Sequence, residues 1–272
     1  MATNYICTTC GTQYAASDGP PAVCPICDED RQYINPNGQS WTTLAELRQS
    51  GYRNVFTEIG PGLTTIETEP KFGIGQRAHL IQTPAGNVLW DCVAYIDDAT
   101  IEQINALGGL AAIAISHPHF HTTIVDWSRA FDAPVYVHSD NQPWIMQPDE
   151  DAIRYWPEET LEILPGITLI RGGGHFPGSA SLHWADADGG QGALFTGDTI
   201  FVVTDNRWVT FMYSYPNSIP LGEAAVRRIA DSVAPFRFER LYSAFGRPVE
   251  RDANGAVQRS AERYIAAING RL

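Results

Sequence analysis

The chain has 272 residues, 44% of them hydrophobic, which is enough for one large domain with a buried core and a small appendage. No apolar run approaches the roughly 18 residues of a membrane helix. The N-terminal "MATNYICTTC" also lacks the basic and apolar regions of a secretory signal, so the expected compartment is the cytoplasm and no membrane partner is expected. A formal charge of −13 excludes an extended phosphate-binding surface, which needs clustered Lys and Arg, and with it nucleic acid as a partner.

Four of the five cysteines form two pairs, Cys7-Thr8-Thr9-Cys10 and Cys24-Pro25-Ile26-Cys27. In a chain without an export signal, two such knuckles predict a tetrahedral thiolate site for zinc or iron rather than disulfides. Residues 1–36 are too few for an apolar core, and "AASDGPPAV" between the knuckles is loop-like, so the metal has to hold this module together. The module also offers a surface for self-association, although the sequence leaves the oligomeric state open. A polar join, "NPNGQS", separates it from the large domain, residues 37–272.

That domain opens with "WTTLAELRQSG", which predicts a short helix with a Thr near its start and Gly51 at its end. "AHLIQ" and "VLWDCVAYI" flank the turn "TPAGN" and predict a hairpin. "DDATIEQINALGGL" places Ile101, Ile104 and Leu107 at helical spacing before a glycine stop, and the buried strand "AAIAI" follows. Thereafter "TTIVDWSRAF" predicts a helix, and "PVYVH", "ITLIRGG", "ASLHWA" and "GALFTGD" predict strands. "LGEAAVRRIADSVA" and "RSAERYIAAING" predict two amphipathic helices. Alternating strands and helices make the domain mixed α/β.

Four short strings stand at the ends of predicted strands: "NVLWD" with Asp91, "SHPHFH" with His117, His119 and His121, "GGGHFPGS" with His175, and "LFTGD" with Asp198. A turn rich in Gly and Pro after a buried strand exposes a side chain at the sheet edge, where ligands and catalytic groups sit. His79 and His183 lie inside predicted strands and His138 at a strand end, positions that suit structural histidines. Cys92 reads as a buried thiol. The aromatic-rich "DNRWVTFMYSYPNSIPL" suits either a pocket wall or core packing.

In this order the four strings resemble the metallo-β-lactamase superfamily of metal-dependent hydrolases, with its HxHxDH, GHxPGS and GD motifs after an early strand ending in Asp. The resemblance covers roughly Phe56 to Leu272 and implies a four-layer αβ/βα sandwich with the metal at the edge between two sheets. The segment "CTTCGTQY" through "CPICDEDRQY" is similar to the rubredoxin-like zinc ribbon on a subgroup of predicted hydrolases. Residue by residue, the resemblance implies His117, His119, His175 and Asp198 as one metal site, a donor set that suits zinc and also iron or manganese. It implies Asp91 as a carboxylate that fixes the tautomer of a ligand histidine. His121 stands where the family has Asp, Thr122 where it has His, and Phe245 where its last motif has His. Phenylalanine cannot bind a metal, so one catalytic metal is expected, with His121 as a proton donor or orienter; the alternative left open is that His121 holds a second ion together with Asp198.

The expected function is a metallo-hydrolase that directs a metal-activated water at an ester, thioester, lactone or amide of a small molecule. The expected cofactors are a structural zinc or iron in the four-cysteine module and one catalytic zinc or iron. Two alternatives stay open: a mononuclear non-haem iron oxygenase of the persulfide dioxygenase type, and a non-catalytic metal-binding scaffold. The substrate is not readable, because specificity lies in pocket shape and loop contacts.

Overall fold

In the computed structural model, which describes residues 2–272, the chain divides into two units. The first runs to Val137 and includes Gln142–Tyr155; the second comprises His138–Asn141 and Trp156–Leu272. Among the described residues no helix is long and apolar enough to cross a membrane.

The first unit is built on a seven-stranded sheet in the order Arg53–Gly60, Leu63–Glu69, Arg77–Thr83, Gly86–Trp90, Ala112–Ala114, Val135–His138, Ile153–Trp156. Its first four strands are an antiparallel meander, and the expected hairpin is present, with Thr83 opposite Gly86. Its next two neighbours are parallel, reached through the helices Asp98–Ala106 and Ile124–Phe131. The strand expected to run to Ile96 ends at Trp90, because Asp91 adopts a left-handed backbone with φ 62°. The pair Arg53–Gly60 and Leu63–Glu69 is absent from the sequence reading. The first of these is an exposed edge strand, and the second carries only two apolar residues among threonines and glutamates, so neither shows a clear period of two.

The helix expected after the polar join spans Leu44–Gln49 and has a reciprocal cap: Thr43 Oγ1 accepts from the Glu46 amide at 3.1 Å, and the Glu46 carboxylate accepts from the Thr43 amide at 2.9 Å. Its Leu47 packs with Ile6, Phe72, Ala94 and Tyr95, a small core that ties the N-terminal segment to the sheet edge.

The second unit has a five-stranded sheet in the order Thr160–Leu164, Ile167–Arg171, Ala180–Trp184, Ala193–Phe195, Arg240–Tyr242. Only the last pairing is parallel. Both expected amphipathic helices, Glu223–Val233 and Ala253–Ile268, lay their apolar faces on this sheet. Val226, Ile229, Val257 and Ile265 join Ile170, Leu194 and Leu241 in one buried cluster. The aromatic-rich stretch folds into short strands: Val209–Thr210 pairs with Phe201–Val202 just before it, and Met212–Ser214 pairs with Ile219–Pro220.

Candidate metal centres

The two Cys-x-x-Cys knuckles converge. One sulfur from each of Cys7, Cys10, Cys24 and Cys27 lies within 4.8 Å of all the others. The closest approaches are 3.5 Å for Cys7–Cys27 and 3.6 Å for Cys10–Cys24. Those separations are far from the ~2.05 Å of a disulfide and close to the ~3.8 Å edge of a tetrahedron drawn at ~2.3 Å around zinc. The Gly11 amide closes the first knuckle on the Cys7 carbonyl at 2.8 Å, and the Gln39 side chain donates to the Cys7 sulfur at 3.2 Å. Tyr14, Ile26, Trp41, Trp144 and Met146 pack around the sulfurs; Cys7, Cys10 and Cys24 are buried and Cys27 is half-buried. Hydrogen bonds from neighbouring thiols, Cys10 foremost, hold Cys7 well below the usual thiol range, whereas burial holds Cys10 above it. The four-sulfur donor set fits a cation of tetrahedral preference.

The second set starts at the end of Ala112–Ala114. His117 is extended, and Pro118 opens the 3-10 turn Pro118–Phe120 that carries His119, so the two imidazole centroids stand 4.9 Å apart. Both histidines are buried. His117 is aimed by a relay. The Ser116 hydroxyl lies 2.8 Å from His117 Nδ1 and donates to Asp91 Oδ2 at 2.9 Å, while the Ser116 amide donates to Asp91 Oδ1 at 2.8 Å. A hydroxyl that gives its proton to a carboxylate accepts from Nδ1–H, which leaves Nε2 of His117 as the lone-pair donor. Asp91 thus reaches the imidazole through Ser116. Sequence reasoning misses Ser116; its signal is a small hydroxyl directly between a buried strand and the first histidine. The strained φ of Asp91, typically a cost of ~1–3 kcal/mol, is held by these same two bonds.

His121 is also buried, and burial pushes it down to about 4 against the hydrogen bond it makes. Its Nδ1 donates to the Trp144 carbonyl at 3.0 Å, and its Nε2 is buried without a hydrogen bond. In this neutral tautomer Nε2 accepts rather than donates.

In the second unit, His175 sits in a loop folded on itself. Gly172 and Gly173 amides both donate to the Ser179 carbonyl at 2.9 Å, and the Phe176 amide donates to Ser179 Oγ at 2.8 Å. Gly174, with φ 80°, has Ile229 beneath it, where a Cβ would fall 2.7 Å from Cδ1. His175 Nδ1 donates to the Tyr213 carbonyl at 2.9 Å, and its Nε2 lies 4.0 Å from Asp198 Oδ2. Asp198 follows the strand Ala193–Phe195, and its own carbonyl accepts from the Tyr215 hydroxyl at 3.0 Å. Burial, then the Asp198 charge, raises the Tyr215 hydroxyl well above the ordinary tyrosine range.

His117, His119, His175 and Asp198 make the second group of side chains able to hold a metal ion; His121 and Asp91 lie outside it. The chemistry of the donors fits zinc or iron(II): three imidazoles, two of them with Nδ1 engaged elsewhere, and one carboxylate. Among the described residues no such group includes His79, His138 or His183. His79 is buried and pushed down to about 3 by burial, His183 Nε2 is bonded to the Arg237 carbonyl at 2.8 Å, and the His138 ring stands edge-on to Trp156. Cys92 is buried and its thiol is pushed up. Part of the aromatic-rich stretch does wall a cavity of about 600 Å³, lined by Phe201, Val202, Met212, Tyr215 and Arg247 among others.

No family model matches the chain. Solved structures of metallo-β-lactamases share its fold. The VMB-1 structure superposes with a TM-score of 0.59 at 12% identity, covering 79% of this chain and 98% of its own. The metallo-β-lactamase FIM-1 of Pseudomonas aeruginosa, in a mono-zinc form, gives 0.56 at 16%, covering 77% and 95%. A B3 metallo-β-lactamase with an active-site glutamic acid gives 0.51 at 19%, covering 81% and 90%. Similarity of sequence points elsewhere: the uncharacterized protein YmaE of Bacillus subtilis (strain 168) is 52% identical over 269 residues, 98% of each chain. The fold is thus that of the metallo-β-lactamases, with a four-cysteine cluster that fits an N-terminal zinc ribbon, and the chain belongs to the same family as YmaE.

Proposed function

We propose that the protein is a metal-dependent hydrolase of small-molecule esters, thioesters, lactones or amides, with one catalytic cation held by His117, His119, His175 and Asp198. The observation that carries this reading is the control of tautomers: Ser116 and the Tyr213 carbonyl engage Nδ1 of His117 and His175, so that each Nε2 remains a donor. A zinc or iron(II) ion in such a set supplies Lewis acidity and brings the pKa of a coordinated water toward neutrality.

The remaining groups have separate tasks. Asp91, through Ser116, favours the form of His117 that binds a cation and supports its positive charge. His121, kept neutral near pH 7 by burial and with Nδ1 held by the Trp144 carbonyl, is suited to accept a hydrogen bond at Nε2 and so to orient a water. Tyr215 braces Asp198 from one side and faces the cavity on the other. That cavity has apolar walls, and Arg247 is the charged residue among those lining it, which favours acyl substrates with an apolar body and an anionic group. A single cation is favoured because the loop after Arg240–Tyr242 offers Ser243 and Phe245 where a further ligand would be needed, and His121 lies outside the group.

The test is turnover of a panel of activated esters, thioesters and lactones, with and without a terminal carboxylate, by protein loaded with zinc or with iron(II). The expected result is hydrolysis that is lost in His117→Ala and Asp198→Ala and is faster for carboxylated substrates in wild type than in Arg247→Ala. Oxygen uptake with iron and no hydrolysis with either metal would contradict the proposal.

A further inference from the structure

We propose that the tetrathiolate module is a clamp on the histidine loop, and that Gln76 is the positioning residue that joins the two. Gln76 stands directly before the strand Arg77–Thr83 and is buried. Its single amide nitrogen donates to two carbonyls, that of Cys10 at 2.6 Å and that of His119 at 3.0 Å. Both of its N–H groups are thereby used, one on a knuckle of the cysteine cluster and one on the backbone of a histidine in the second metal group.

Two further links run between the same partners. The Gln13 amide, three residues past Cys10, donates to the Thr122 carbonyl at 2.9 Å. Trp144, whose ring packs on the sulfur cluster, accepts from His121 Nδ1, and the Ala15 amide donates to the Met146 carbonyl at 3.0 Å. The cysteine module therefore reaches the loop directly at Thr122, through Gln76 at His119 and through Trp144 at His121. The approach is close enough that Gly11, at φ 80°, has no room for a side chain: a Cβ there would lie 2.9 Å from that of Ala94.

Within the turn itself the backbone bonds are those of a three-residue 3-10 turn, Phe120 to the His117 carbonyl at 3.0 Å and His121 to the Pro118 carbonyl at 3.2 Å, and short 3-10 turns bond poorly. On the far side of His121 the Thr123 hydroxyl anchors the chain to the Ala94 carbonyl at 3.1 Å, so the clamp acts on the turn that carries His119. The knuckle that grips it is ordered by a cation among four sulfurs, since the module is too small for a core of its own. Filling the cysteine site thus pre-forms the loop, and emptying it releases His119. The inference rests on the hydrolase reading only for the identity of the second site.

The experiment is a cobalt(II) titration of metal-free protein for wild type, Gln76→Ala, Gln76→Glu and Cys10→Ser. The thiolate-to-cobalt charge-transfer band reports the cysteine site, and the visible bands report the histidine site. Gln76→Glu keeps the shape but carries no donor, which covers the case in which Gln76→Ala fails to fold. Both Gln76 variants are expected to keep the charge-transfer band and to bind the second cobalt roughly 10–100-fold more weakly, the usual effect of losing a group that orients a ligand. Cys10→Ser is expected to lose the band and weaken the second site as well. Hydrogen exchange over residues 117–123, read with cobalt in the cysteine site alone, is expected to be faster in the Gln76 variants. Wild-type affinity at the second site in both Gln76 variants would overturn the clamp. If wild type took up no second cobalt, the hydrolase reading would fall, and unchanged exchange over residues 117–123 would then overturn the clamp independently.

Discussion

The cysteine group takes all its donors from two knuckles in one short module, whereas the histidine group takes them from three loops that each follow a strand, far apart in the chain. The first is all sulfur, packed against Tyr14, Trp41, Trp144 and Met146. The second mixes imidazole with carboxylate, has its tautomers set by Ser116 and Tyr213, and has an aromatic cavity beside Tyr215. Closed thiolate sets suit a structural ion and open mixed sets suit chemistry, and the proposed function follows that division, with one ion for folding and one for reaction.

Substitutions in each group should separate these tasks. The largest effect is expected from Cys10→Ser. Structural zinc sites contribute on the order of 10 kcal/mol to folding, so the variant should lose its cysteine-bound ion and become open to limited proteolysis before Trp41. Asp198→Ala comes next: it should drop the affinity of the histidine site by more than ~100-fold, beyond the usual effect of an orienting group, and leave the charge-transfer band of the cysteine site in place. Ser116→Ala cuts the path from Asp91 to His117 while keeping all four donors, and should weaken the same site about tenfold, with melting temperature little changed. Gly11→Ala tests the contact between module and sheet without removing any donor; strain at φ 80° should cost ~1–3 kcal/mol, read by denaturant unfolding. A Gly11→Ala protein as stable as wild type would mean that the module sits loosely on the sheet.

The cysteine module was legible because its ligand spacing is local: two Cys-x-x-Cys turns prescribe a tetrahedron without reference to the rest of the chain. The histidine motifs were legible as strings at strand ends, and the structure sets His117 and His119 on one turn and His175 beside Asp198. What the sequence concealed was the means of orientation. Ser116 and Gln76 act through pairs of hydrogen bonds across long stretches of chain, to Asp91 and to the Cys10 and His119 carbonyls, and the Tyr213 and Trp144 contributions are backbone carbonyls that no side-chain pattern encodes. The strands at Arg53–Gly60 and Leu63–Glu69 were hidden for another reason, since an exposed edge carries no hydrophobic alternation. Asp91 was read as a strand-end carboxylate, but its left-handed backbone, which stops the strand, became visible only in three dimensions.

The decisive measurement is metal content per chain by elemental analysis, on protein purified without added metal, for wild type, Cys7→Ser/Cys10→Ser and His117→Ala/Asp198→Ala. The division of labour between the two groups predicts two ions in wild type and retention of the cysteine-bound ion, without hydrolysis, in the His117/Asp198 variant. A wild type with three ions, or a His117/Asp198 variant that still holds two and still hydrolyses, would contradict it.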